Sequence, residues 1–289
     1  MKKLMLAFTA LALCSASFAQ LPAFPKAQGQ DNSERHAEFS QLKQAALAKA
    51  GHGTDGSGTC PFPFTSGSNQ TFLSYCVSGD GNVITLETPQ GQPEISLDQF
   101  EGYGICDITG NTAYSDFGAS ALTPNWGSAR VLSNKGTSVK IARTTSDGIW
   151  TLTQTFNQVS GNTPNVKITM ALKNNSNIGR EAFLVRWADV DAGAVEPNEA
   201  DATFNTAFIY NSFLAGDGIP VGLVLQNQGN SPFAFGAVTY NTPVPPDPCN
   251  PLGFAAGELI GTDASFAQIY LMNLGRAQTG KVVVAYRGL

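Results

Sequence analysis

Apolar and polar residues alternate along most of the chain from residue 59 onward. Trp150, Leu152 and Phe156 fall on one face of a segment whose other face carries threonines, and residues 166–172 alternate in the same way. A period of two indicates β-strands with one buried face. Besides segments 150–156 and 166–172, the pattern predicts strands at 72–77, 83–87, 103–108, 139–143, 182–190, 207–213, 221–226, 267–274 and 282–286.

Turn-forming segments separate these strands. Residues 160–164 and 174–177 are rich in Gly, Asn and Ser, and no helical periodicity intervenes between the strands. Many short strands joined in this way are typical of an antiparallel β-sandwich, so we expect an all-β domain over residues 59–289. Residues 241–251 contain five prolines and predict a stiff loop, called the Pro-rich loop below.

The first 58 residues have a different pattern. Two lysines, an apolar run over 4–13 and a small-x-small ending at 17–19 predict a signal peptide over residues 1–19. Residues 20–58 are expected to form an extension with one helix near 38–47, preceded by a capping-box spacing and followed by a Gly-rich linker. We consider three roles for it: a mobile spacer, a docking segment, or a removable pro-segment.

Charge and hydropathy restrict the partners. The chain has 17 Lys and Arg against 22 Asp and Glu, a net charge of −5, or about −7 once Lys2 and Lys3 leave with the signal peptide. Without a basic block along the sequence, nucleic acid and anionic membrane surfaces are not expected partners. No transmembrane segment is predicted after residue 19. We expect an exported protein, periplasmic or extracellular.

Cysteine usage agrees with export. Cys14 belongs to the predicted signal peptide, and Leu13 stands where lipoprotein signals carry a small residue, so no lipid anchor is expected. The other four cysteines predict two disulfides in an oxidising compartment. Of the three possible connectivities we favour Cys60–Cys76 with Cys106–Cys249. The first disulfide would close a short loop, and the second would attach the Pro-rich loop to the sheet. None lies in a C-x-x-C pair that would indicate redox or zinc chemistry.

Histidine is absent from the predicted β-domain. His36 and His52 both lie in the extension. This excludes a Ser–His–Asp triad and a His-ligated metal site within the β-domain alone. Phosphate-loop and dinucleotide-binding motifs are also absent.

The densest group of acidic residues lies between positions 181 and 201. Asp189 and Asp191 continue the apolar face of the predicted strand 182–190. One interpretation ends the strand near residue 188 and leaves both aspartates solvated. A second gathers four oxygen-bearing side chains around calcium, without an EF-hand pattern: Asp189, Asp191, Asn198 and Asp201. A third uses a carboxylate pair as acid and base on a glycosidic bond.

A second polar group combines aromatic and acidic residues. Tyr103, Asp107, Asp116 and Trp126 suit stacking on a sugar and hydrogen bonding to its hydroxyls. The alternative places the aromatics in the core and the aspartates in turns. Arg186 is expected to form a surface salt bridge with an acid such as Glu87.

Three functions follow from these features. The first is an exported binding protein for calcium, a glycan or a surface protein. The second is a carbohydrate-active enzyme. The length and strand density resemble those of the supersandwich fold of sugar epimerases. The histidine that those epimerases use has no counterpart in this β-domain. The remaining enzyme classes are a carboxylate-based hydrolase and a Tyr/Arg lyase. The third is a structural surface or matrix subunit that self-associates through residues 20–58.

Overall fold

The computed structural model describes residues 60–96, 100–117, 125–194, 197–212 and 221–289. The predicted signal peptide and the extension with its helix, residues 1–58, lie outside these ranges. Within them, the regular structure consists of β-strands and two short 3-10 turns, Asn69–Thr71 and Ala192–Ala194, with no α-helix.

The strands follow one another with short connections. In chain order they are β1 Phe62–Ser66, β2 Leu73–Val77, β3 Val83–Glu87, β4 Pro93–Ile95, β5 Glu101–Asp107, β6 Thr112–Asp116, β7 Arg130–Lys135, β8 Ser138–Thr144, β9 Trp150–Val159, β10 Asn165–Asn174, β11 Arg180–Asp189, β12 Asn198–Ala202, β13 Thr206–Asn211, β14 Val221–Asn227, β15 Ala234–Tyr240, β16 Ala255–Ala256, β17 Leu259–Thr262, β18 Ser265–Leu274 and β19 Thr279–Gly288.

These strands form three antiparallel sheets. The largest has nine strands in the order β17-β12-β13-β14-β19-β10-β9-β8-β7. A six-stranded sheet has the order β16-β15-β18-β11-β5-β6, and a four-stranded sheet has β1 to β4 in sequence. The two larger sheets are the layers of the sandwich.

The main core lies between these two layers. Leu152, Ile168 and Val284 of the nine-stranded sheet share one apolar cluster with Leu184 and Tyr270 of the six-stranded sheet. All five are essentially inaccessible to solvent. Each fully buried aliphatic side chain of this kind contributes about 1.5–3 kcal/mol relative to exposure, so the alternating pattern directly produces the two-layer fold.

The outer face of the six-stranded sheet is covered by the Pro-rich loop. Val185 and Trp187 of this face belong to a second apolar cluster, against which Val244 of the loop packs. The Cys106–Cys249 disulfide joins the loop to β5, with the two Cα atoms 4.8 Å apart. A Cβ atom on Gly104 would lie 2.5 Å from Cγ of Pro248, so glycine is required where the loop crosses this strand.

The four-stranded sheet is attached to the six-stranded one by polar contacts. The N–H of Val83 donates to the carboxylate of Glu101 at 2.6 Å. The side-chain amide of Asn82 donates to the main-chain carbonyl of Asp116 at 3.2 Å. Within the small sheet, the Cys60–Cys76 disulfide ties the segment before β1 to β2.

The structure confirms the antiparallel β-sandwich and both favoured disulfides. Every predicted strand coincides with an observed strand to within a few residues, although residue 213 of the segment 207–213 lies outside the described ranges. The sequence pattern missed eight of the described strands. One of them, β15, has mostly apolar residues on both faces, and β4 and β16 have only three and two residues; the others are β1, β6, β7, β12 and β17. In the described part of the chain, no helix is long and apolar enough to cross a bilayer.

Candidate functional site

Three carboxylates meet where the two large sheets join. Asp189 ends β11, Asp191 follows it, and Asp263 lies between β17 and β18. One oxygen of each carboxylate lies within 4.8 Å of an oxygen of the other two. We call these three residues the acidic cluster. Because β11 and β18 belong to the six-stranded sheet and β17 to the nine-stranded sheet, the cluster lies at the seam of the sandwich.

Strand pairing explains this convergence. Asp189 is directly opposite Ser265 in the antiparallel β11–β18 pair, and the same register brings Asp191 to the level of Asp263. Asp189 is only 2% exposed, so it is not the solvated loop residue that one interpretation of the sequence expected. Carboxylates this close together favour an adjacent cation or a shared proton, since like charges disfavour the ionised form.

Neutral oxygen atoms accompany the acidic cluster. The buried amide of Asn198 donates to the carbonyl of Val190, the residue between the two aspartates, at 3.3 Å. Its side-chain oxygen accepts no hydrogen bond from the described residues. Thr262 lies opposite Asn198 in the β12–β17 pair. The Thr262 hydroxyl is also without a hydrogen-bond partner in the described ranges. Asn198 therefore contacts the segment between Asp189 and Asp191, and Thr262 directly precedes Asp263 in the chain.

Asp201, the fourth residue of the calcium prediction, is not a member of this cluster. Side chains alternate along β12, so Asp201 is on the face opposite to Asn198. It is on the same face as Glu199, and both are close enough to Tyr210 to raise the pKa of that phenol, although burial is the larger cause. The side chain of Asp201 also accepts a hydrogen bond from the N–H of Ala202 at 2.7 Å.

Glu94 brings the four-stranded sheet to the same region. It lies on β4, is completely buried, and is close to the backbone N–H of Gly193 in the turn after β11. Burial raises the pKa of Glu94 well above its usual value of 4.5, and the N–H of Gly193 opposes this only in part. Burial of Glu94 therefore disfavours the ionised form of its carboxyl group.

The predicted sugar-binding residues separate into two places. Tyr103, Asp116 and Trp126 come together around Arg143, which the sequence interpretation had not singled out. The Arg143 guanidinium pairs with Asp116 and lies 5.6 Å from the centre of the Trp126 ring. The rings of Tyr103 and Trp126 meet edge to face, with centres 5.4 Å apart. Asp107 instead pairs with Arg180 at 2.5 Å.

This aromatic–arginine cluster is a packed part of the interior. Tyr103 is inaccessible to solvent, Asp116 is 1% exposed and Arg143 is 8% exposed. Burial raises the pKa of Tyr103, the carboxylate of Asp116 raises it further, and the guanidinium of Arg143 opposes both. The net direction is opposite to the one that a tyrosine acting as a base requires.

Arg186 is not the surface residue that the sequence pattern indicated. It is completely buried and pairs with Glu101 rather than with Glu87. Its guanidinium also donates to the side-chain oxygen of Gln154 at 2.6 Å. Tyr286 completes the group, because its hydroxyl donates to Glu101 at 2.7 Å. Burial raises the pKa of Glu101. The positive charge of Arg186 and the hydrogen bonds from Val83 and Tyr286 oppose this rise. The ion pair lies within the six-stranded sheet, and its hydrogen bonds to Gln154 and Tyr286 connect it to the nine-stranded sheet.

An amide-lined cleft, which no sequence motif indicated, opens beside β14 and β10. Its volume is about 560 Å³, and its lining includes five amide side chains and one lysine but no carboxylate: Lys167, Asn205, Gln226, Asn227, Gln228 and Asn230. Asn227 is held in place by the hydroxyl of Tyr270, which donates to it at 2.7 Å. This hydrogen bond fixes the position of one polar residue of the lining.

Comparison with known proteins gives no relative in sequence. No protein-family model matches the chain. No curated protein matches it either.

Solved structures with a similar arrangement do exist. A putative aldose 1-epimerase from Escherichia coli K12 aligns at 9% identity over 78% of this chain and 98% of its own, with a TM-score of 0.42. A 4-alpha-glucanotransferase from Thermococcus litoralis aligns at 8% identity over 86% of this chain and 41% of its own, with a TM-score of 0.45. A galactose mutarotase-like protein from Lactobacillus casei aligns at 8% identity over 78% of this chain and 100% of its own, with a TM-score of 0.37.

Proposed function

We propose that this protein is an exported, calcium-binding β-sandwich that acts by binding and not by covalent catalysis. The observation that carries the proposal is the convergence of Asp189, Asp191 and Asp263 within 4.8 Å. Calcium prefers six to eight oxygen ligands drawn from carboxylates, amide and main-chain carbonyls, and water. The acidic cluster and the side-chain oxygen of Asn198 supply four of these ligands, and none of them is a nitrogen or sulfur atom that would favour zinc.

Export is supported by two independent features. Residues 1–19 have the pattern of a signal peptide. Both disulfides require an oxidising compartment to persist. Calcium is abundant outside the cytoplasm, where sites of modest affinity are sufficient for binding.

The enzymatic and structural alternatives have less support. A Tyr/Arg lyase would need a tyrosine with a lowered pKa, but burial raises the pKa of Tyr103 beside Arg143. A hydrolase would need an accessible carboxylic acid with a raised pKa, but Glu94, whose pKa is raised by burial, is completely buried. The structural subunit depends on residues 20–58, which lie outside the described ranges, and it stays a prediction.

Calorimetric titration of calcium into the chelator-treated full chain tests the proposal. We expect saturable binding at one site, and at a calcium concentration of about a hundred times Kd a gain of about 2.7 kcal/mol in the free energy of unfolding. Asp263→Asn should weaken binding by about tenfold or more, because it removes one carboxylate ligand. Asp189→Asn should do the same if the buried variant folds.

Asp201→Asn is the matched control. It removes the same charge from a neighbouring part of the sheet, but Asp201 is not a member of the acidic cluster. Calcium affinity should change by less than about twofold, as expected for a residue outside the ligand set. Absence of binding heat, together with a melting temperature that neither calcium nor chelator changes, would contradict the proposed function.

A further inference from the structure

Positive charge is segregated onto one face of the nine-stranded sheet. Its six neighbouring strands β14, β19, β10, β9, β8 and β7 contain no Asp or Glu, although acidic residues outnumber basic ones in the chain. Five cations occupy the outward positions of three of these strands, β8, β10 and β19: Lys140, Lys167, Lys173, Lys281 and Arg287. We call this surface the basic face. In the described part of the chain, none of the five takes part in an ion pair; the cations that do are Arg143, Arg180 and Arg186.

The register fixes the spacing of these cations on the sheet. Lys281 lies opposite Ala171 of β10, two residues from Lys173. Lys140 lies opposite Thr155 of β9, which lies opposite Thr169 of β10. With strands about 4.8 Å apart and two residues spanning about 6.7 Å, neighbouring cations stand about 8–16 Å from one another. Threonine hydroxyls fill the space between them.

The basic face continues into the amide-lined cleft. Lys167 and Gln226 belong to both, because Gln226 and Lys167 flank Ala285 on adjacent strands. Amide groups suit pairs of sugar hydroxyls, since each amide both donates and accepts hydrogen bonds. The volume of about 560 Å³ falls in the range of small-ligand sites. Lys167 adds a cation to a cleft without carboxylates, which favours an anionic sugar.

We propose that the basic face and its cleft bind an anionic polysaccharide, whose terminal sugar units occupy the cleft while the chain continues across β10 and β19. Charge complementarity supports an extended polyanion, because the cations are spread over the sheet instead of forming one compact site. Nucleic acid is less well matched. The outward positions of β8, β9, β10 and β19 include no aromatic side chain on which bases would stack.

Binding to defined oligosaccharides tests this proposal. The full chain is titrated, in chelator so that calcium plays no part, with a short oligogalacturonate, a heparin-derived oligosaccharide of similar length, and neutral dextran. We expect binding to at least one of the two anionic probes, weakened by added salt, and no binding to dextran. The two anionic probes distinguish carboxylate from sulfate as the recognised group.

Single substitutions locate the site. Lys167→Gln should weaken binding of the short probe at least tenfold. Arg276→Gln removes the same charge beyond the far end of β10, about 20 Å from Lys167 along the strand, and should change affinity less than twofold. Lys140→Gln with Lys281→Gln should weaken binding of a long polymer and leave the short probe unaffected.

Three results would overturn the proposal. They are absence of binding to both anionic probes at low salt, equal effects of the Lys167 and Arg276 substitutions, and single-stranded DNA of equal charge binding as tightly as the oligosaccharides. The last result would mean that the face attracts any polyanion. Because chelator is present throughout, failure here is independent of the calcium proposal.

Discussion

At the scale of single residues, the buried ion pair is the feature with the largest consequence for stability. Arg186 and Glu101 are both inaccessible to solvent; Arg186 also donates to Gln154, and Glu101 also accepts from Tyr286 and Val83. Removing one member of such a pair leaves an uncompensated buried charge, which destabilises more than the pair itself stabilises. A partly exposed carboxylate like that of Glu87 has no comparable effect.

We therefore predict that Glu101→Gln lowers the free energy of unfolding by about 3–5 kcal/mol, because Arg186 loses its counter-charge in the interior. Glu87→Gln, the matched change at the partner that the sequence suggested, should cost less than about 1 kcal/mol. Urea unfolding monitored by tryptophan fluorescence measures both. Equal costs for the two substitutions would show that the buried pair does not have this role.

Single residues also show what the sequence can and cannot reveal. Asp189 and Asp191 are predictable members of the acidic cluster because they extend an alternating strand. Asp263 is not, since only the β11–β18 pairing, which joins segments more than 70 residues apart, brings it beside Asp191. Asp201 was selected for its closeness in sequence, but alternation along β12 directs it to the other face. Local periodicity predicts which face a residue occupies, and it contains no information about the partner strand.

At the scale of secondary-structure elements, β4 shows how a strand of three residues holds two parts of the fold together. It pairs with β3 in the small sheet and places Glu94 beside the turn that follows β11. The sequence pattern does not predict β4, because three residues are too few for a period of two to be recognised. The same limit applies to β16, which has only two residues.

Glu94 should make stability depend on pH. Burial raises the pKa of Glu94 in the folded state above its usual value of 4.5. The stabilising contribution of the protonated side chain is therefore complete below pH 4.5, and it is lost as the pH rises through the folded-state pKa. Glu94→Gln removes this titration and keeps the shape of the side chain. We predict that the variant becomes progressively more stable than the wild type as pH rises above 4.5.

Denaturant unfolding of both proteins from pH 4 to pH 8 measures this difference. Glu258→Gln, on an exposed residue before β17, is the control and should follow the wild-type curve. If the free energy of unfolding of Glu94→Gln ran parallel to that of the wild type over the whole pH range, Glu94 would be ionised in the folded protein.

At the scale of the whole molecule, the fold gathers residues that are widely separated along the chain. The basic face draws its cations from positions between 140 and 287, so no basic block is visible in the sequence even though the sheet presents one surface. The sandwich itself is predictable, because it depends on alternation within each strand. The two candidate sites depend on strand order and register, which the sequence pattern does not encode.

The acidic cluster makes a prediction for the whole sandwich, because it lies where the two layers join. If calcium binds there, it ties the end of β11 to β17, an edge strand of the nine-stranded sheet. Hydrogen exchange of the full chain should then slow in β12 and β17 and at the start of β18 when calcium replaces chelator. At a calcium concentration of about a hundred times Kd, the slowing approaches about 100-fold for amides that exchange through opening of the site.

The opposite edge of the same sheet provides an internal control. β7 is also an edge strand, paired only with β8, and it is separated from β17 by the seven other strands of the sheet. Calcium should leave its exchange rates unchanged, and Asp263→Asn should abolish the protection of β17. Equal slowing at both edges would indicate a general effect of calcium on the protein, and would argue against a cation held at the seam.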